Sequence, residues 1–190
     1  MSNNEIEKQK KTEEELNQYL TFILNDEEYG VPILSVSGIQ GWEKTTPIPN
    51  SPDYVKGIIN LRGEVVPIID LRKRFGLETI PYSTHTVVIV VRVQQDDKQR
   101  TVGLVVDAVA DVHDINHEDM RKTPDFGGTI NDAFVSGLGL IDEKMVIILA
   151  VDHLVDWQNI ANSKEEDSMD GADVDFDKND DQSSEGIIAA

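Results

Sequence analysis

The side chains best suited to metal chemistry lie in one stretch, "DAVADVHDINHEDM", from residue 107 to residue 120. The candidate ligands in it are Asp107, Asp111, His113, Asp114 and His117. His113 and His117 are four residues apart, a spacing that places both imidazoles on one face of a helix. The stretch begins like a strand, however, and Asn116 is typical of a helix cap, so the two histidines fall in different conformations. We favour solvated loop residues, and a metal-binding protein using residues 107–117 is the alternative.

A second candidate metal site is a calcium loop near the C-terminus. Asp175, Asp177 and Asn179 occupy positions 1, 3 and 5 of an EF-hand loop. Position 6, where the turn needs Gly, is Asp180, and position 12, where a bidentate Glu is needed, is Gly186. The match fails. Since the sequence also shows no phosphate-binding Gly loop, no nucleophile elbow and no paired Ser and His, we predict a protein that is not an enzyme and uses no cofactor.

One arginine stands between two apolar runs in "GIINLRGEVVPIIDL", residues 57–71. Gly63 suits the second central position of a tight turn and the flanking Ile, Leu and Val runs suit strands, so the stretch predicts a hairpin. The turn explains the glycine but not Arg62. Arg62 is therefore either a solvated turn residue or a contact for a partner.

The charge of the chain argues against polyanionic partners. It holds 36 Asp and Glu against 17 Lys and Arg, a formal net charge of −19, whereas nucleic acids and anionic membranes select clustered Lys and Arg. The longest apolar run, "TVVIVV" from Thr86, is far shorter than the roughly 18 residues of a membrane helix, and the N-terminus lacks a signal-peptide core. No Cys is present, so disulfides and thiolate ligands are excluded. We expect a cytoplasmic protein without nucleic-acid binding or direct membrane insertion.

Charge and apolar content divide the chain into three parts. Residues 161–190 hold ten Asp or Glu, two Lys and almost nothing apolar, which predicts a disordered acidic tail. Residues 1–17 are polar and are predicted to be a flexible segment. The folded domain is expected over 18–160. Removing −8 for the tail and −2 for residues 1–17 from −19 leaves −9 on this domain, which disfavours an SH3-like nucleic-acid binder as well.

The folded part contains an internal repeat. Two blocks align without a gap, and the pairs are 29–39 with 102–112 and 54–71 with 134–151. Because both blocks recur in the same order, each after another β-rich run, they indicate two homologous half-units, at about 18–83 and 84–160. In this alignment Arg62 matches Asp142, a residue of opposite charge in a hairpin that should fold alike.

The pattern within each half-unit predicts an all-β fold. Runs of Val, Ile and Thr are broken by turn residues, and helices are expected only as short interruptions, at "NSPDYVKG" and "NHEDMRK". A C-terminal helix is predicted around 151–160, with Leu154 and Trp157 on its buried face. Many short strands without a long helix favour two small barrels over a parallel sheet.

Three segments together resemble the CheW family of bacterial chemotaxis coupling proteins. They are "DEEYGVPILSVSGIQG", "TTPIPNSPDYVKGIINLRGEVVPIIDLRKRFG" and "TVGLVVDAVADV", with the pattern NLRG-x-x-x-P-I-x-D-L as the most specific part. The resemblance extends from Tyr19 to about Leu154. It implies two pseudo-symmetric five-stranded SH3-like barrels and an adaptor that links methyl-accepting chemoreceptors to the regulatory domain of the histidine kinase CheA in signalling arrays. An SH3-like binding module with other partners is the alternative.

The resemblance also implies two contact sites. The receptor tip is expected in a groove between the barrels, on Ile33, Val36, Ile39, Gly57, Arg62 and Val112. The kinase domain is expected to pack barrel to barrel, against "RKTPDF" with Arg121 and Phe126. Taken singly, the apolar receptor positions also fit ordinary barrel core. One departure from the family pattern concerns Gly38, because the family usually carries a receptor-facing Glu at that position.

Overall fold

The computed structural model describes residues 18–155 except 96, 117–118 and 123–131. The described residues form eleven strands, a single turn of α-helix and short 3-10 turns. The strands are β1 Gln18–Leu24, β2 Glu27–Pro32, β3 Val36–Gly41, β4 Val55–Leu61, β5 Glu64–Asp70, β6 Val87–Gln95, β7 Lys98–Val106, β8 Ala108–Asp114, β9 Met120–Arg121, β10 Val135–Ile141 and β11 Lys144–Leu149. The helix, α1, is Leu71–Arg74, and the 3-10 turns are Ile33–Ser35, Asp132–Phe134 and Val151–His153.

The strands form two curled sheets, which we call barrel 1 and barrel 2. Barrel 1 has the order β3-β6-β7-β5-β4, and barrel 2 has the order β8-β1-β2-β11-β10-β9. Each sheet contains one parallel pair, β5 with β7 and β2 with β11, among antiparallel neighbours. In the described part of the chain, barrel 1 has five strands, and barrel 2 has five strands plus the two-residue β9. The predicted all-β fold with two barrel-like units is confirmed.

The two half-units of the sequence are interleaved. The first gives β1 and β2 to barrel 2 and β3 to β5 to barrel 1, whereas the second gives β6 and β7 to barrel 1 and its other strands to barrel 2. The chain crosses between barrels after β2, through the turn Ile33–Ser35, and after β7, at Asp107. Each half-unit therefore contributes strands to both barrels. In each barrel the parallel pair joins a strand of the first half-unit to a strand of the second.

The repeat is visible in the packing of two equivalent glycines. Gly30 pairs with Ile148 across the parallel strands of barrel 2, and Gly103 pairs with Ile68 in barrel 1. A Cβ on Gly30 would lie 2.8 Å from Ile148 Cδ1, and a Cβ on Gly103 would lie 2.5 Å from Ile68 Cδ1. Each barrel therefore uses a glycine to let an isoleucine cross the neighbouring strand.

The largest apolar cluster lies between the barrels. It combines side chains of both sheets, including Leu20, Phe22, Leu24 and Val31 of barrel 2 and Ile69, Ile89, Val91 and Leu104 of barrel 1. Smaller clusters fill the other face of each sheet, around Val66, Ile68, Val88, Val90 and Val105 in barrel 1 and around Ile115, Val146 and Ile148 in barrel 2. Strand β6 is thus buried on both faces, which explains why "TVVIVV" is continuously apolar instead of alternating.

Several predicted helical segments take other forms. The segment at 50–54 forms turns, with the Val55 N–H donating to Pro52 O at 2.8 Å. At the C-terminal segment, Val151–His153 is a 3-10 turn and Leu154 is fully buried, while Trp157, with all of 156–190, lies outside the described residues. Residues 1–17 lie outside them too. No helix in the described part of the chain has the length and hydrophobicity to cross a membrane.

Candidate protein-binding groove

The β4–β5 hairpin carries Arg62 at its tip. Arg62 and Gly63 both have positive φ, 53° and 92°, as in a type I′ turn. The Gly63 N–H donates to Asn60 Oδ1 at 2.8 Å. Left-handed backbone favours Gly, Asn and Asp over Arg, and the equivalent turn of the β10–β11 hairpin has Asp142 with φ of 46°. The turn geometry therefore supplies no reason for an arginine.

Arg62 lines a groove of about 460 Å³ at one end of barrel 1. We call it the Arg62 groove, and its lining residues are Ser37, Gly38, Ile39, Gln40, Leu61, Arg62, Glu64, Val90, Arg92 and Thr101. Ile39 is 47% exposed, whereas Val90 belongs to the buried cluster inside barrel 1 and Leu61 packs against that cluster. The groove thus offers apolar surface bordered by charged side chains, which suits an amphipathic helix or strand of another protein.

The Arg62 groove contains two of the six predicted receptor contacts, Ile39 and Arg62. Ile33 and Val36 are half-buried and pack against the cluster between the barrels. Val112 is 43% exposed on β8 of barrel 2, at the repeat position that matches Ile39. The receptor role of all six stays a prediction.

Gly57, the remaining predicted contact, has a structural role. It lies at a bulge of β4 with a φ of 128°, and a Cβ there would overlap the backbone carbonyl of Thr46. The Thr46 N–H donates to Ile58 O and the Ile58 N–H donates to Thr46 O, so the segment before β4 is held against this bulge. A residue with a side chain would separate that segment from β4.

The predicted kinase contacts are described only in part. Arg121 is exposed on β9, opposite Leu138 of β10. Phe126 lies outside the described residues. The kinase role of both stays a prediction.

Asp107, the first residue of the proposed metal cluster, belongs to an ion pair. Arg72 Nε donates to Asp107 Oδ1 at 2.7 Å and Arg72 Nη2 donates to Asp107 Oδ2 at 2.7 Å, a bidentate geometry. The Asn25 N–H donates to the same carboxylate at 2.8 Å. With these donors in place the Asp107 oxygens are occupied.

The protonation of Asp107 follows from this pairing. Burial by itself would raise the pKa of Asp107, but hydrogen bonds from Arg72 and the Asn25 N–H, with the guanidinium charge, hold its pKa below the ordinary value. The hydrogen bond to Asp107 likewise raises the pKa of Arg72. Among the described residues no cluster of three or more His, Asp or Glu has the geometry of a metal site; His117 lies outside them.

Sequence reasoning missed Arg72. In "DLRKR" it resembles its solvated neighbours, yet it is only 9% exposed. Asp70 caps α1 by accepting a hydrogen bond from the Lys73 N–H at 3.2 Å, and the resulting helical turn directs Arg72 toward the crossover at Asp107. The sequence did contain a signal for the helical turn, since Asp70 precedes an apolar residue as a helix cap does. It contained no signal that Arg72 would pair with Asp107, 35 residues further along the chain.

An all-β chain with two barrels, each built from strands of both half-units, and an amphipathic groove at the end of one barrel has the features of a protein-binding module. A family model described as the CheW-like domain matches residues 18–159. The chain belongs to this family, whose members are non-enzymatic scaffold proteins of bacterial chemotaxis.

Individual relatives show the same extent of similarity. The chemotaxis protein CheW of Klebsiella aerogenes is 42% identical over 144 residues, covering 76% of this chain and 84% of the relative. The CheW of Rhizobium meliloti is 37% identical over 135 residues, covering 71% and 84%. A crystal structure of the scaffolding protein TtCheW from Thermoanaerobacter tengcongensis matches with a TM-score of 0.67 at 36% identity, covering 74% of this chain and 88% of that one. The chain therefore has the role of a chemotaxis adaptor.

Proposed function

We propose that this adaptor couples the cytoplasmic tips of methyl-accepting chemoreceptors to the regulatory domain of the histidine kinase CheA, in the cytoplasm at receptor arrays. The observation that supports the proposal best is the Arg62 groove. Ile39 and Arg62, two of the residues implied as receptor contacts, lie on its lining, and the turn that holds Arg62 has no structural need of a guanidinium.

Three other implied contacts are consistent with this proposal. Ile33 and Val36 support the strand that lines the groove, and Arg121 lies on a second surface. Ile33 and Val36 belong to the crossover that begins β3, so their packing on the shared cluster fixes the strand that carries Ile39. Arg121 is exposed on β9 of barrel 2, which belongs to a different sheet from the β4–β5 hairpin of barrel 1. Receptor and kinase would then contact different strands, so that a coupling protein could bind both at once.

The test is the charge reversal Arg62→Glu. Because Asp142 occupies the equivalent turn, we expect normal folding, with a change in stability of about 0.5 kcal/mol or less. Loss of charge-assisted bonds to a receptor should cost about 1.5–3 kcal/mol, which is roughly a ten- to hundredfold loss of affinity. The measurements are thermal unfolding, pull-down with a receptor-tip fragment and pull-down with CheA. Binding to CheA should be retained.

Lys144→Glu is the matched control. It makes the same change of net charge in the equivalent hairpin of barrel 2, beside Asp142 and Glu143, and should leave receptor binding unchanged. Full receptor binding by folded Arg62→Glu protein would reduce Arg62 to a solvated turn residue. Failure of the unaltered protein to bind both partners would overturn the coupling function itself.

A further inference from the structure

The Arg62 groove has a charge opposite to that of the chain. Two guanidinium residues, Arg62 and Arg92, line it against one carboxylate, Glu64, although the whole chain has a net charge of −19. Neither arginine forms an ion pair with a carboxylate of the described residues. The groove lining therefore has one more positive than negative side chain, in a chain that is strongly acidic as a whole.

Arg92 reaches the groove because of its register in β6. Val88 and Val90 point into barrel 1, and side chains two residues apart along a strand share a face. Arg92 follows on that face, opposite Thr101 of β7, where the barrel interior opens to solvent and the side chain is exposed. Its position at the barrel mouth gives it no role in the core.

Gly38 leaves the space beside these arginines open. It pairs with Val90 of β6, and a Cβ built on it would meet no atom within 4 Å. Its backbone is not in the positive-φ region. A larger side chain, such as glutamate, would therefore fit at Gly38 without a clash, so the glycine leaves the groove without a carboxylate at this position for no steric reason.

We propose that Arg92 is a specificity-determining residue of the groove. Together with Arg62, and with no carboxylate at Gly38, it selects an acidic side chain of the partner that lies next to an apolar one. The occupant is a helical segment of the receptor tip, with its apolar side chain on Ile39 and its Asp or Glu between the two guanidiniums. The inference rests on the proposed function and adds to it the chemistry of the partner residue.

The first test is Arg92→Gln, which removes the charge and keeps most of the side chain. Binding to a receptor-tip fragment from the same genome should weaken about 2- to 10-fold, since rim charges contribute modestly. The loss should be larger at low salt, where screening is weaker. Lys98→Gln is the control, because it removes one positive charge from the exposed start of β7, outside the groove, and it should bind like the unaltered protein.

The second test introduces a carboxylate into the groove with Gly38→Glu. The Gly38→Glu variant should fold normally and bind this receptor fragment at least about 3-fold more weakly. Gly38→Gln, which adds a side chain of similar size without the charge, should bind like the unaltered protein. A double-mutant cycle then pairs Arg92→Gln with Gln substitutions of each Asp and Glu of the receptor fragment. One acidic residue of the receptor fragment should be coupled to Arg92. Its substitution by Gln should weaken binding to the unaltered protein but have little further effect on binding to Arg92→Gln.

The outcomes separate this inference from the proposed function. Loss of binding in Arg62→Glu together with unchanged binding in Arg92→Gln and Gly38→Glu overturns the inference and leaves the proposed function intact. The absence of coupling to any acidic receptor residue overturns it as well. Unchanged binding in all groove variants overturns the use of the Arg62 groove for receptors altogether.

Discussion

At the scale of single residues, the Arg72–Asp107 pair connects parts that are distant in the sequence. It joins α1, which follows β5 of barrel 1, to the β7–β8 crossover, and the Asn25 N–H adds the β1–β2 turn of barrel 2. Arg72 Nη1 also donates to Glu78 O at 2.8 Å. The side chains of Arg72 and Asp107 are 11% and 22% exposed, so the pair is largely desolvated.

We predict that Arg72→Leu destabilises the protein by about 3–5 kcal/mol, because it leaves a mostly buried carboxylate without its partner. The double variant Arg72→Leu/Asp107→Leu should recover part of the loss, since the isolated charge is then gone. Recovery should be incomplete, because Glu78 O and the Asn25 N–H still lose a partner. Urea unfolding measures all three free energies, and a single variant as stable as the unaltered protein would show that the pair contributes nothing.

The lowered pKa of Asp107 predicts an acid-sensitive contribution to stability. A carboxyl whose pKa is lower when folded than when unfolded, where it is about 3.9, stabilises the fold fully above the unfolded pKa. This contribution should be constant from about pH 6 to 8 and decline as the pH falls below about 5 toward the folded pKa. Urea midpoints from pH 2.5 to 7 should show a shallower acid decline in Asp107→Asn, and identical slopes for the two proteins would contradict the expectation.

At the scale of elements, the parallel strand pairs depend on two glycines. Gly103 lies where a Cβ would be 2.5 Å from Ile68 Cδ1 and 2.7 Å from Val88 Cγ1, both inside barrel 1. Side chains on either side of β7 are buried in the shared cluster or in the barrel, so there is little room for relaxation.

We predict that Gly103→Ala destabilises barrel 1 by about 1–3 kcal/mol through overpacking. Gly30→Ala should have a smaller effect in the same direction, since its Cβ would meet mainly one terminal methyl group of Ile148. Gly38→Ala is the control, because a Cβ there has open space. Thermal unfolding of the three variants orders the effects, and equal stability of Gly103→Ala and Gly38→Ala would refute the packing argument.

The elements were predictable from the sequence to the extent that local patterns determine them. The β4–β5 hairpin followed from Arg62-Gly63 between apolar runs, and the repeat followed from two blocks in the same order. The interleaving of the half-units could not be predicted. The sequence of a strand such as β2 indicates which of its residues are buried, but it does not indicate that the parallel neighbour of β2 is β11. Arg72 was missed for the same reason, since its burial depends on Asp107 beyond two further strands. In the groove, Ile39 and Arg62 came from family resemblance, whereas Arg92 became visible only through its register beside Val90.

At the scale of the whole molecule, interleaving and the shared cluster make the two barrels one folding unit. Four fully buried side chains of barrel 1, Ile69, Ile89, Val91 and Leu104, belong to the cluster shared with barrel 2 and not to the cluster inside barrel 1. The connections after β2 and β7 bind the barrels covalently at both crossovers. Neither barrel can lose its partner without exposing this surface, so we expect cooperative unfolding of both together.

The last prediction tests this dependence with a fragment. Residues 36–106 contain all five strands of barrel 1 in one continuous segment, so hydrogen bonding alone would allow the fragment to fold. Separation from barrel 2, however, would expose the four side chains named above, each at a cost of about 1.5–3 kcal/mol, against a total stability of about 5–15 kcal/mol for an ordinary domain. The fragment should therefore lack a cooperative transition.

The full chain carrying Trp157→Phe gives a second measurement of the same dependence. Its remaining tryptophan, Trp42, packs against Tyr82 of barrel 1 with the ring centroids 4.2 Å apart. The fluorescence of Trp42 should change at the same urea concentration as the circular dichroism of both barrels. A fragment that unfolds cooperatively, or two separated transitions in the full chain, would show that barrel 1 is stable on its own and that the shared cluster joins two independent units.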